Sequence, residues 1–158
     1  MIDELCLNDT LLASAQEVFN TMISGNIKFC KTEQDIEGDS FLGSITFKGS
    51  LEGCLTICAS VPCAKTIALK MLAMEPCEKL SEEEICDALG EVTKMVMGSV
   101  KSRVQKTTGK IEVSIPTVVT GRKLQNSLGE GTTKTLVGAK LENEYIAELS
   151  MLYRETSK

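Results

Sequence analysis

The sequence contains no histidine and no tryptophan among its 158 residues, only three prolines, and aromatic residues at 4%. Without imidazole the commonest general base is missing, as are Ser-His and Cys-His nucleophile pairs and every zinc site that needs a His ligand. Chemistry must therefore rest on carboxylates, amides, Lys or Cys. The seven cysteines (Cys6, Cys30, Cys54, Cys58, Cys63, Cys77, Cys86) include no CxxC pair, and their number is odd, which argues against a disulfide framework and a four-Cys zinc site. They read as free thiols, with no metal of the chain's own. Nor is there an apolar run approaching the ~20 residues of a membrane span, and Asp3, Glu4 and Asp9 occupy the region where a signal peptide would be apolar. A cytoplasmic protein is the expectation. Basic excess is also missing: 17 Lys and Arg against 22 Asp and Glu give a net charge of −5, which repels polyphosphate backbones and anionic membranes. Neither nucleic acid nor membrane is an expected partner.

What is present suits one folded domain spanning 1–158. With 42% apolar residues, the chain can bury about two-thirds of its unfolded surface. Leu11, Leu12, Ala15, Val18, Phe19 and Met22 recur at helical spacing after the capping candidates Asn8, Asp9 and Thr10, predicting a first helix from Leu11 to Ile23. Strand-like runs at Ile27 to Thr32, Phe41 to Phe47 and Leu51 to Ala59, separated by turn residues, predict an antiparallel meander. In the third run Cys54, Thr56 and Cys58 share one face and Leu55 and Ile57 the other, and the two thiols read as core fillers. Ser60 with Pro62 predicts a second helix running to Met74. Ser81 to Glu84 is a capping box that opens the longest helix, to about Gln105, closed by Thr107 to Gly109. A strand from Lys110 to Ile115 leads into Pro116, a Gly-punctuated stretch covers Gly121 to Gly131 as a loop, and two further strands, Thr133 to Leu141 and Tyr145 to Tyr153, turn at Glu142-Asn143-Glu144. The expectation is an α+β fold with an antiparallel sheet of about six strands covered by helices.

The long helix carries the informative residues. At 100° per residue, Ile85, Leu89, Val92, Val96 and Arg103 point one way, while Asp87, Glu91, Lys94, Gly98, Lys101 and Gln105 align opposite. Pattern alone makes the second stripe a solvated face with one Glu–Lys pair at i, i+3. Gly98 departs from that bland reading, because Gly inside an exposed helix costs roughly 0.5–1 kcal/mol relative to Ala and signals close approach of another backbone or a partner.

The series Asp87, Glu91 and position 94, with Gly98 beyond and Pro116-Thr117-Val118-Val119 after the next strand, resembles the CheC/CheX family of chemotaxis phosphatases along nearly the whole chain. That family's pattern is Asp or Ser, then Glu, then Asn, with Pro after the next strand. Asp87, Glu91 and Pro116 match, the spacing to Pro116 being one residue short. Lys94 departs from the pattern, standing where the family places its catalytic Asn, and Ser99 stands where many relatives carry a second Asn. The resemblance implies a homodimeric protein that docks on an aspartyl-phosphorylated, CheY-like response regulator through Asp87, Glu91, Gly98 and Lys101. Glu91 would reach a receiver lysine, and any Mg²⁺ would belong to the receiver. Position 94 would orient the attacking water, a task for which a carboxamide both donates and accepts hydrogen bonds whereas protonated Lys only donates. The implied activity is phosphatase, with rate lost to Lys94. The alternative is a non-catalytic module that binds a phospho-receiver or a flagellar-switch component.

Three other features are present. Glu17 and Asn20 repeat the Glu-to-Asn spacing on the first helix, without the Asp or Ser before them or the Gly after, and read as a solvated face. Gly129-Glu130-Gly131-Thr132-Thr133 lacks the Lys and the following helix of a phosphate-cradling loop and reads as a hairpin connection. Cys63 and Cys77, near the ends of the second helix, would support a redox sensor only if exposed.

Overall fold

A computed structural model describes residues 4–23, 25–31, 36, 38–75, 79–122 and 131–156. The chain order is α1 (Glu4–Val18) continued by a π-helical turn (Phe19–Ile23), β1 (Ile27–Cys30), β2 (Asp39–Gly49), β3 (Leu51–Ser60), α2 (Val61–Met71), α3 (Glu82–Thr108), β4 (Ile111–Val113), β5 (Thr117–Arg122), β6 (Thr133–Leu141) and β7 (Tyr145–Glu155). The strands form one antiparallel sheet in the order β1-β6-β7-β3-β2-β4, with β5 also paired to β2. This is the α+β architecture expected from the sequence.

Several local predictions need correction. The meander is a hairpin only: β2 pairs with β3, but β1 crosses to the far edge and pairs with β6, Ile27 opposite Leu141. Helix α1 begins at Glu4 rather than Leu11, because two of its capping candidates serve tertiary contacts instead. Asn8 Oδ1 accepts from Thr135 Oγ1 at 2.7 Å, and Asp9 pairs with Lys31 at 3.0 Å. Helix α2 stops at Met71, capped by the Leu72 amide donating to Ala68 O, short of Met74. The Lys110 to Ile115 strand shortens to β4, and a seventh strand, β5, occupies Thr117–Arg122, the approach to the expected loop. The remainder of that loop, with Gly129 and Glu130, lies outside the described residues.

The helices pack on the sheet face that carries Phe41, Ile45, Leu55, Ile57, Leu149 and Met151, all part of one buried cluster. Leu7, Leu11, Ala15 and Val18 of α1, Ala64, Ile67 and Ala68 of α2, and Leu89, Val92, Val96 and Val100 of α3 complete it. Cys54 and Cys58 sit on the opposite face, outside that core, since side chains alternate along a strand. Cys54 is nonetheless buried, and half-buried Cys58 donates to Ser40 Oγ across the hairpin at 3.7 Å.

Helix α3 is placed by both its cap and its seat. Ser81 Oγ accepts from the Glu84 amide at 3.1 Å while the Ser81 amide donates to Glu84 Oε1 at 3.0 Å, the predicted capping box. In the middle, α3 crosses β2 at Gly43, where a Cβ would lie 2.4 Å from Thr93 Oγ1 and 3.4 Å from Leu89 Cγ. Thr93 is fully buried, and its hydroxyl donates to Leu89 O at 2.8 Å, so it has no free direction in which to retreat. At the far end the Gln105 carboxamide accepts from the Ile111 amide at 3.1 Å, tying helix to β4.

Gly43→Ala should therefore destabilise the protein by about 1–3 kcal/mol, the usual range for forcing a methyl into a packed interior. Urea unfolding of Gly43→Ala, Thr93→Ala and the double variant checks the cause: the double variant should unfold at higher urea than Gly43→Ala alone. If the two changes simply add, the helix is not seated by this contact.

Candidate functional site

Because α3 buries Ile85, Ala88, Leu89, Val92, Thr93, Val96, Met97, Val100 and Val104, the helical period turns the opposite stripe away from the sheet. Asp87, Glu91, Lys94 and Gly98 are exposed and Lys101 is half-exposed. The stripe runs about 21 Å from Asp87 to Lys101 at the α-helical rise. Its charge is ordered, with carboxylates toward the N-terminus and ammonium groups toward the C-terminus.

Among the described residues, none of Asp87, Glu91, Lys94 and Lys101 takes part in an ion pair or side-chain hydrogen bond. The Glu91–Lys94 pair that the spacing permits is not formed. Gly98 meets nothing within 4 Å where its Cβ would be, so no other part of the described chain makes the close approach that its position suggested. The space above it is open.

Two structural partners of the stripe were not legible as such. Gly90, buried one residue before Glu91, faces β5: a Cβ there would lie 3.6 Å from Val118 Cγ2 and 3.8 Å from Pro116 Cγ. This contact brings Pro116 beside the helical turn that carries Glu91. A second interior glycine in the same helix was the available signal. Ile115, immediately before, is 82% exposed, the most exposed large apolar residue described.

Arg103 does not belong with the buried stripe to which its angle assigned it. It is exposed, and its Nη2 pairs with Glu17 Oε2 at 2.7 Å, joining α1 to α3. Ser99 Oγ donates to Glu17 Oε1 at 3.4 Å and accepts from Arg103 Nε at 3.4 Å. Both oxygens of Glu17 are thus occupied within the chain, and Asn20 falls in the π-helical turn rather than on regular helix. Glu17 and Asn20 do not reproduce the free stripe of α3.

Cys30 is exposed on β1, whereas burial holds back the other described thiols. Cys63 is fully buried in α2, and burial, helped slightly by nearby Cys58, pushes its thiol up to about 12. Burial also raises Cys54, Cys58 and Cys86, with Glu82 and Asp87 adding to the effect at Cys86. Cys77 lies outside the described residues.

Residues 41–137 match the family described as chemotaxis phosphatase CheX. No curated protein sequence matches the chain. Among solved structures, the chain is similar to a chain of the CheX-CheY-BeF3-Mg²⁺ complex from Borrelia burgdorferi, at 22% identity and a TM-score of 0.81 over 98% of this chain and 100% of that one. It is also similar to a CheC-like superfamily protein from a Shewanella species (23%, 0.79, covering 96% and 99%) and to the chemotaxis protein CheX of Vibrio vulnificus (24%, 0.76, covering 94% and 99%). At such identities these structures speak for the fold.

Two predictions follow from the site's geometry. Gly98→Ala should stabilise the protein by about 0.5–1 kcal/mol, since a methyl there meets nothing and Ala is the better helix former; denaturant unfolding checks the direction. At pH 8 Cys63 should resist iodoacetamide in the native protein and react only in denaturant, because a thiol raised to about 12 stays protonated there and only thiolate is nucleophilic. Peptide mapping of alkylated protein reads the result.

Proposed function

We propose that this chain, which belongs to the CheX family of chemotaxis phosphatases, docks the exposed stripe of α3 on an aspartyl-phosphorylated, CheY-like receiver. The observation that carries this reading is the stripe itself: Asp87, Glu91, Lys94 and Lys101 are all free of internal partners, with Gly98 open between the last two. A similar fold in complex with CheY-BeF3-Mg²⁺ supports the choice of partner. Glu91 is the docking carboxylate for a receiver lysine, Asp87 and Lys101 flank it, and Gly98 lets the partner come close to the helix backbone. Mg²⁺ belongs to the receiver. The protein acts in the cytoplasm as a homodimer.

The reaction open to such a complex is hydrolysis of an acyl phosphate. Water's oxygen bonds to phosphorus, the bond from phosphorus to the aspartyl oxygen breaks, and the carboxylate leaves with the electron pair. Water's protons end on the released phosphate. Position 94 stands on the side from which water attacks. A carboxamide there would accept one hydrogen bond from water and donate another to the phosphoryl group, holding both in line. Lys94 can only donate. Gly90, Glu91, Met97 and Gly98, the residues one turn to either side, supply no hydroxyl or amide in its place, and the hydroxyl of buried Thr93 is used on Leu89 O. Losing a positioned group of this kind lowers the rate on the order of 10²–10⁴-fold. Lys94 accordingly favours a second reading as well, a module that reads the phosphorylated receiver without turning it over.

The test restores the amide. Lys94→Asn should accelerate decay of the phosphorylated receiver by about 10²-fold or more over the wild-type chain, and Glu91→Gln should weaken binding about tenfold or more. A Lys94→Asn chain that binds the receiver and still leaves its decay unchanged would remove the water-positioning role from this position.

A further inference from the structure

Resting on the docking reading above, we infer that Lys94 reverses the outcome of docking: the bound chain preserves the receiver's acyl phosphate instead of removing it.

Three properties of the stripe carry the argument. Lys94 is exposed and unpaired, and Glu91, the nearest carboxylate along the helix, does not neutralise it. Its ammonium is therefore available to an anion. The charge order of the stripe, Asp87 and Glu91 before Lys94 and Lys101, complements a surface that sets a lysine beside a dianionic phosphoryl group. And Gly98, one turn beyond Lys94, has open space above it among the described residues, so the partner can lie close to the helix and shut water out of the same zone.

The chemistry then decides the sign. An aspartyl phosphate carries two negative charges on three non-bridging oxygens. In a loose, metaphosphate-like transition state the transferred group carries nearer one, the remainder passing to the leaving carboxylate. A cation on the attacking side touches the non-bridging oxygens and lies farthest from the leaving group. It is attracted more strongly before reaction than at the transition state, and binding that is stronger in the ground state slows a reaction. An ammonium that donates to the incoming water has a second effect, since it engages one of the oxygen's two lone pairs and draws electron density from the other, making the water a poorer nucleophile. A carboxamide at position 94 could accept a hydrogen bond from that water through its carbonyl oxygen and leave both lone pairs of the water free. Each effect acts in the same direction.

The experiment uses the full chain and a CheY-like receiver encoded in the same genome. Binding to the BeF3-loaded receiver is measured by titration calorimetry, and loss of labelled phosphoryl from the phosphorylated receiver is followed at saturating chain. With the wild-type chain the half-life should lengthen about two- to fivefold, the ratio that follows from losing an interaction of exposed ion-pair strength on the way to the transition state. Lys94→Met, which keeps the length and removes the charge, should bind and protect less than wild type, and Lys94→Asn should shorten the half-life. Decay equal to or faster than that of the receiver alone, with binding demonstrated, overturns the inference and leaves docking intact. Equal protection by Lys94→Met also overturns it, since simple coverage would then suffice. Absence of binding to every such receiver overturns the docking reading itself.

Discussion

The close contact between α3 and β2 governs the rest of the structure. At Gly43 the sheet offers bare backbone to the buried Thr93 hydroxyl, and an added Cβ would lie 2.4 Å from it. The helix consequently rests at the depth of a glycine, and its 27 residues are turned so that one stripe fills the core. Interiors are packed too densely to absorb a small displacement locally. A lift at residue 43 would propagate along a stiff helix to Glu91 and Lys94, which lie on the same turns as Leu89 and Thr93. Gly90 packs more loosely against β5, where a Cβ would make ordinary contact with Val118 and Pro116, and so places Pro116 at the edge of the site. Position and exposure of the candidate site thus come from contacts on the side of the helix that no partner would touch.

Electrostatics on the outer side follow a different logic. The capping box occupies Glu84, and along the stripe the acids Asp87 and Glu91 precede the lysines Lys94 and Lys101 without any two of these side chains meeting. A formed Glu91–Lys94 pair would contribute only a few tenths of a kcal/mol at such exposure. Keeping both groups unpaired therefore sacrifices almost no stability and leaves each with its full hydrogen-bonding capacity. The contrast is Glu17, whose two oxygens are held by Arg103 and Ser99 in joining α1 to α3. The same side-chain type is structural on one helix and available on the other.

Features set by neighbouring residues were legible in the sequence: the Ser81 to Glu84 box, the Ser60 cap with Pro62, and the three-residue turn in which Glu142 and Asn143 adopt φ of 54° and 59°. The exposed stripe of α3 was legible too, because helical periodicity sorts its faces. What escaped depended on distant parts of the chain. Nothing local tells β1 to leave its neighbour β2 and pair with β6. Asn8 and Asp9 have the chemistry of caps, yet Thr135 and Lys31 claim them. Strand β5 was hidden by Pro116 and by the exposure of Thr117, Val119 and Thr120, which blurs the alternation expected of a strand packed on one side. Arg103 was misassigned because angle alone cannot distinguish the middle of a buried face from its rim, where a long side chain reaches a neighbour.

The separation between core and stripe means that residues on the stripe can change without disturbing the packing that defines the fold. Lys94 touches none of the contacts that seat α3, so the fold places no constraint on which polar residue stands there. Surface substitutions of this kind usually change stability by less than about 0.5 kcal/mol. Chemistry is far less tolerant. In the proposed complex, exchanging a group that donates and accepts for one that only donates would remove half of what a positioned water needs, and would add a charge beside the phosphoryl group. A single position can therefore alter what happens to a docked phosphoryl group while α3, its seat on Gly43 and its neighbour Pro116 stay as they are. The match over residues 41–137 assigns the family, and the contacts that seat α3 lie on the opposite side of the helix from position 94.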